Sequence, residues 1–267
     1  MGIGVEGECK MANKLEGQVA VITGGAGALG RAAAFLFLQE GAKVALVDYD
    51  ERSLSTYTEQ LRVHGEVIGV VADVTSEKDV SHYVEEVLRK WGRIDVFLNN
   101  AGILGKVAVL VEQTVEDYEA IMNINVKGVF LGLKHVLPVM AKQQSGSIIN
   151  TSSVSGLMGS SRNSLYSATK HAVVGLTKTA ALEASGDSVR VNSIHPAPLD
   201  SDMMRKNEEC INPDNPSEVR GRISSYIPFG RYGTMNEVAK LILFLASDDS
   251  RFISGSQYRI DGGMGAR

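Results

Sequence analysis

Along this chain, hydrophobic positions fall into short unbroken runs separated by longer stretches in which apolar residues recur every third or fourth place. The runs lie at 18–23, 43–48, 67–72, 94–98, 146–151, 189–194 and 257–260, and their length and Val/Ile/Leu content predict seven strands. The spacing of three and four predicts helices over about 29–40, 51–63, 76–91, 115–141 and 165–184, several with acidic residues early and basic residues late. This alternation predicts an α/β fold: a doubly wound, seven-stranded parallel sheet with helices on both faces. No repeat, linker or low-complexity tract divides the chain, so one domain is expected over 17–267, after a flexible leader at 1–16.

The alternation breaks between the sixth and seventh runs, where about 60 residues intervene, far more than a simple connection needs. Pro196, Pro198, Pro213, Pro216 and Pro228 supply turns there, and Met203, Met204, Ile211, Ile223, Tyr226 and Phe229 supply apolar surface. Short helices closing over a pocket are expected at about 197–230; a packed surface excursion is the alternative.

With 44% hydrophobic and 22% charged residues, the composition is that of a folded domain. The net charge of −4, without a block of Lys and Arg, argues against nucleic acid or an anionic membrane as partner and for a small-molecule ligand. Cys9 and Cys210 form no CxxC pair, so neither a disulfide framework nor a zinc site is expected, and a reducing, cytoplasmic compartment fits. The leader carries Glu6, Glu8, Lys10, Lys14 and Glu16 and lacks the apolar core of a signal peptide. No stretch approaches the roughly 18 consecutive apolar residues of a membrane span. His64, His82, His135, His171 and His195 show no HxxxH or His-carboxylate spacing, so no catalytic metal is expected.

The segment TGGAGALG, residues 23–30, follows the first predicted strand and opens the first predicted helix. Gly25, Gly27 and Gly30 satisfy GxGxxG in the strand-turn-helix setting of a dinucleotide site. Residues without a Cβ let the backbone approach a pyrophosphate, and the free N–H groups and dipole of a helix N-terminus favour an anion. At the end of the second strand, in VALVDYD, Asp48 stands where a carboxylate accepts hydrogen bonds from ribose hydroxyls and repels a 2′-phosphate. With no Arg or Lys at 49 or 50, NAD(H) is expected over NADP(H). A strand-end or helix-capping role is the alternative for Asp48.

Together with ADVT (72–75), NNAG (99–102), NINVKG (123–128), INTSS (149–153), YSATK (166–170), RVNSIHP (190–196) and IDGG (260–263), these residues resemble the short-chain dehydrogenase/reductases from about residue 15 to 263. The resemblance implies a Rossmann-type domain. Within the family the chain looks most like NAD-dependent oxidoreductases of cyclic secondary alcohols and ketones. It departs from the usual TGxxxGxG at Ala28, from Pro-Gly at Ala197, and from a common Thr at Ser201.

The resemblance implies catalysis by Asn125, Ser153, Tyr166 and Lys170. It places the cofactor against Gly24, Ala28, Leu29, Gly30, Asp48, Asp73, Val74, Asn99, Asn100, Ala101, Gly102, Tyr166, Lys170, Pro196, Leu199 and Ser201. Tyr166 and Lys170 are four apart on one predicted helix and share a face. A phenol titrates near pH ~10, and about 3 units, or ~4 kcal/mol, must be gained for it to act as a base at neutral pH. A unit charge at about 4 Å in an effective dielectric near 20 supplies about that much. In the implied mechanism Tyr166 takes the substrate hydroxyl proton, Ser153 donates a hydrogen bond to the substrate oxygen, and Asn125 holds a relay from Lys170 to solvent.

Ile103, Leu104, Leu157, Met158, Gly159, Met203 and Met204 are the expected substrate walls, and their apolar character favours a ring or steroid-like skeleton. A 3-oxoacyl thioester reductase and a non-catalytic NAD sensor are the alternatives. Asp48 counts against the first, and the intact Ser153, Tyr166 and Lys170 against the second. A homotetramer is the family expectation.

Overall fold

All seven predicted strands form, all pair in parallel, and they lie in the order β3-β2-β1-β4-β5-β6-β7. A computed structural model describes residues 13–266. In it the strands are β1 (Val19–Thr23), β2 (Lys43–Asp48), β3 (Val67–Val71), β4 (Val96–Asn99), β5 (Gly146–Thr151), β6 (Val189–Pro196) and β7 (Gln257–Ile260). The helices are α1 (Ala28–Gln39), α2 (Glu51–Leu61), α3 (Glu77–Trp91), α4 (Val115–Met122), α5 (Gly128–Gln143), α6 (Ser164–Glu183), α7 (Asp202–Ile211), α8 (Pro216–Ser225) and α9 (Met235–Ala246).

Every residue of β1 is buried, as expected of a strand covered on both faces. Alternate side chains enter opposite cores. Ala20 and Ile22 join Phe37 of α1, Leu54 of α2 and Val238, Ile242 and Leu245 of α9. Val19 and Val21 join Tyr83 and Val87 of α3, Val136 and Met140 of α5 and Val173 of α6. The helix ends follow local chemistry. Ser76 caps α3, Glu77 and Asp79 stand in its first turn, Arg89 and Lys90 in its last, and Gly92 ends it in a left-handed conformation.

Four features differ from expectation. The described end of the leader is built into the fold: Leu15 is fully buried in the α1 core, and the Leu15 N–H donates to the Glu40 carbonyl at 3.0 Å. The remainder of the leader, 1–12, lies outside the described residues. The helix expected over 115–141 is two α-helices fused by a π-helical turn, Asn123–Lys127. The fused run Val115–Gln143 has a mean hydropathy of 1.2 over 18 residues and is long and apolar enough to cross a membrane by length and composition. Charged residues break every consecutive apolar stretch but do not pull the average down, and Val129, Leu131, Val136 and Met140 lie in the core. Finally, the long segment after β6 holds not only the short helices α7 and α8 but also α9, which covers the sheet.

The strand order reverses at β1, which sits between β2 and β4. A crevice therefore opens beyond the carboxyl ends of β1 and β4, the usual ligand position in open α/β sheets.

Candidate active site

Two neighbouring strands deliver the floor of this crevice, and one hydroxyl joins them. Thr23 Oγ1 accepts from the N–H groups of Asn100 (2.9 Å) and Ala101 (3.1 Å), and Asn100 Nδ2 donates to the Thr23 carbonyl (3.1 Å). The glycine loop then turns into α1 with Gly27 at its N-cap and no side chain on its first N–H groups. Gly30 passes so close to the loop that a Cβ there would stand 2.3 Å from the Gly24 carbonyl oxygen. Ala28, Leu29 and Gly30 form the first turn of α1 with their N–H groups directed out of its N-terminus, which is where a phosphate binds.

Asp48 ends β2, and its carboxylate accepts from the Ala26 N–H of the loop at 3.0 Å and from the Asp50 N–H at 3.2 Å. It is not the cap of α2; Asp50 is, accepting from the Ser53 N–H at 3.0 Å. The loop thus aims Asp48. Asp73 is exposed beyond β3 and accepts from the Thr75 N–H at 2.8 Å, while Val74 lies against Gly128 at the start of α5.

On the other side of the crevice, Asn125 is fully buried in the π-helical turn. Its Nδ2 donates to the Ile103 carbonyl (2.8 Å) and to Thr169 Oγ1 (3.1 Å), and its Oδ1 accepts from the Ile103 N–H (2.8 Å). Thr169 in turn donates to the Tyr166 carbonyl at 2.7 Å, so the π turn is tied to α6. Lys170, one turn beyond Tyr166, is buried and donates from Nζ to the Thr151 carbonyl at 2.8 Å. A Cβ on Gly102 would lie 3.1 Å from Asn125 Oδ1 and 3.5 Å from Lys170 Nζ, so those two groups and the end of β4 meet at one point. Ser153 follows β5, with its Oγ accepting from the Ser155 N–H at 3.1 Å.

Pro196 closes β6, and Leu199 pairs with Gly233. Ser201 spends its hydroxyl on capping α7, accepting from the Met204 N–H at 3.2 Å. Ala197 is buried beside Val154, Ile227 and Tyr232. Of the expected substrate walls, Leu157, Met158 and Met203 expose 40–48% of their surface, whereas Met204 packs against the Ala197 cluster.

A family model described as "Enoyl-(Acyl carrier protein) reductase" matches residues 24–265. The chain is 42% identical to a 3-oxoacyl-[acyl-carrier-protein] reductase of Thermotoga maritima, over 94% of its own length and 99% of the relative's. It is 38% identical to the levodione reductase of Leifsonia aquatica, and a crystal structure of levodione reductase superposes with a TM-score of 0.92 over 94% of this chain and 99% of that one. An NAD+-bound xylitol dehydrogenase, 34% identical, superposes with a TM-score of 0.90 over 94% and 100%. The chain belongs to the short-chain dehydrogenase/reductase family. It is accordingly an oxidoreductase of the alcohol-carbonyl kind.

In this short-chain dehydrogenase/reductase burial dominates the electrostatics of the crevice. Burial raises the Tyr166 phenol above its ordinary value, with a hydrogen bond from Ser153 acting in the opposite direction. The Lys170 ammonium lies 5.6 Å from the centroid of the Tyr166 ring and gives one hydrogen bond to the Thr151 carbonyl. Burial also lowers Lys170 itself, to about 8.

Three site residues escaped the sequence reading: Thr23, Thr151 and Thr169. Each stands inside a quoted motif, but each acts through a backbone carbonyl, a backbone N–H or another side chain, which spacing does not display. Among the described residues no group of three or more His, Cys, Asp or Glu side chains is placed to hold a metal ion.

Proposed function

We propose that this chain is an NAD(H)-dependent oxidoreductase that interconverts a secondary alcohol and a ketone on a cyclic, apolar or steroid-like substrate. The observation that carries the reading is the meeting of phenol, ammonium, hydroxyl and buried amide at one crevice, beside an uncapped helix N-terminus and a loop-aimed Asp48. Asp48 suits ribose hydroxyls and opposes a 2′-phosphate. The NAD+ in the similar xylitol dehydrogenase structure supports the same cofactor. Leu157, Met158 and Met203, half exposed at the mouth, support an apolar substrate.

NAD held by the α1 N-terminus and Asp48 would supply the hydride acceptor and a positive charge. Tyr166 takes the substrate hydroxyl proton, and returns it in the reducing direction. Ser153 donates a hydrogen bond to the substrate oxygen and steadies the charge that develops there. Lys170 holds the ionised phenol, and Asn125 holds the turn against which Lys170 sits. The exposed apolar residues Val115, Tyr118, Phe130 and Leu182 on α4–α6 support a homotetramer, and the composition supports a cytoplasmic site of action.

The test is absorbance at 340 nm with NAD or NADP against a panel of cyclic secondary alcohols including hydroxysteroids, wild type beside Tyr166→Phe. NADH formation that disappears in the variant is the expected result. A second reading, reduction of 3-oxoacyl thioesters, draws support from the Thermotoga maritima relative. NADPH oxidation with acetoacetyl-CoA outpacing every alcohol in the panel would replace the first reading by the second.

A further inference from the structure

His195 is fully buried at the end of β6, and none of the chemistry above uses it. Its Nδ1 lies 2.8 Å from the carbonyl oxygen of Ser153, and its Nε2 lies 2.8 Å from Ser193 Oγ. A carbonyl only accepts, so Nδ1 carries the hydrogen. Burial lowers the imidazolium to about 4, and Lys170 and His171 of α6 and Arg259 of β7 press in the same direction. The ring is therefore neutral at physiological pH, and Nε2 accepts from the Ser193 hydroxyl. Both ring nitrogens are satisfied and the tautomer is set.

The bond falls on the peptide that bears the Ser153 side chain. Ser153 stands in extended backbone (φ −165°, ψ 164°) at the junction between β5 and the short turn Val154–Gly156. One residue earlier, the Ser152 N–H donates to the Ile194 carbonyl at 2.9 Å. Beyond that point the main-chain ladder between β5 and β6 ends, and the imidazole continues it by a side chain. Thr151, whose carbonyl receives Lys170, is two residues upstream, so the same junction places both groups.

We propose that His195 is a positioning residue: the chain of hydrogen bonds Ser193–His195–Ser153 sets where the Ser153 hydroxyl is offered to the substrate oxygen. The inference rests on the role given to Ser153 under the proposed function.

The experiment compares two amides at this position. Asn places a donor where Nδ1 stands, and Gln reaches instead to the place of Nε2. Using the fastest alcohol of the panel with NAD, His195→Asn keeps kcat within about three-fold, while His195→Gln and His195→Phe lower it roughly ten- to a hundred-fold, the range that a small misplacement of a reacting group produces. KM for NAD stays unchanged in all three, which loss of fold would not permit. Ser193→Ala, which frees the tautomer without removing the imidazole, gives a smaller fall. Equal kcat in the Asn and Gln variants overturns the inference even where the Phe variant does not fold. Turnover surviving in Ser153→Ala overturns the reading of the site itself, whereas turnover lost in Ser153→Ala but kept in His195→Gln overturns only the inference.

Discussion

The crevice and the α7–α8 segment after β6 are held by different forces. Around the crevice, Asn125, His195 and Lys170 are buried, and each is fixed by bonds to backbone carbonyls or N–H groups of a neighbouring strand or helix. In the segment after β6, α7 and α8 add partly exposed ion pairs to the apolar contacts of Met204 and Ile223. Asp200 accepts from Arg205 of α7 at 2.8 Å and from Arg220 of α8 at 3.2 Å, and Arg220 also lies over the Tyr232 ring, 4.7 Å from its centroid. An open cavity of ≈ 500 Å³ is lined by residues that include Asp200, Arg220, Arg231 and Glu237. Buried bonds to backbone tolerate no displacement, whereas exposed ion pairs contribute little each and exchange readily. The groups proposed to carry the chemistry thus sit where the structure is fixed by buried bonds, and α7–α8 sit where it can give.

The contrast is broken most severely at the phenol. Tyr166→Phe is expected to lower kcat by roughly 10²–10⁴ with the melting temperature nearly unchanged, read by the 340 nm assay and calorimetry. The crevice also has a pH signature of its own, carried by a buried imidazole. His195 is lowered from 6.5 to about 4, so its contribution to stability is complete above pH 6.5 and is lost as pH falls towards 4. The protons are taken up by the unfolded chain before the folded one. The expected loss is about 3 kcal/mol across that window, read by urea unfolding at several pH values, and His195→Asn removes that component. At Asp48, replacement by Ser removes a charged acceptor and is expected to weaken NAD binding about ten- to a hundred-fold by fluorescence titration, narrowing the preference over NADP. The smallest effect belongs to the α7–α8 segment. Arg220→Ala should cost no more than about 1 kcal/mol of stability while raising KM for the alcohol a few-fold. Wild-type KM should also climb with NaCl, as the variant's does not. A salt-insensitive KM would show that the two regions are not held differently.

The strands were legible in the sequence because parallel strands covered on both faces read as continuous apolar runs, and each observed strand lies within about two residues of its run. The glycine loop and Asp48 were legible because their motif is local and set between a strand and a helix. α9 was folded into the long segment after β6 by the weight given to its prolines. Its start was nevertheless marked by the capping box of Thr234 and Glu237 ahead of an apolar run. The path of Lys170 to the Thr151 carbonyl could not be read, since helical spacing reports which face two residues share and not what a long side chain finally bonds. The spacing of His195 speaks only to metal binding; one partner, Ser193, lies on its own strand, but the other, the Ser153 carbonyl, lies 42 residues away in sequence.

The π-helical turn at Asn123–Lys127 has a mechanical consequence of its own. One extra residue within a single turn sets the angular phase between α4 and α5, so that α5 faces the sheet while Tyr118 and Val115 of α4 face outward. Removing one residue there would restore an ordinary helix and rotate everything upstream by about 100° about the common axis. A deletion that an exposed loop would absorb would here swing the whole approach to the crevice out of line, so this stretch accepts changes of residue far more easily than changes of length.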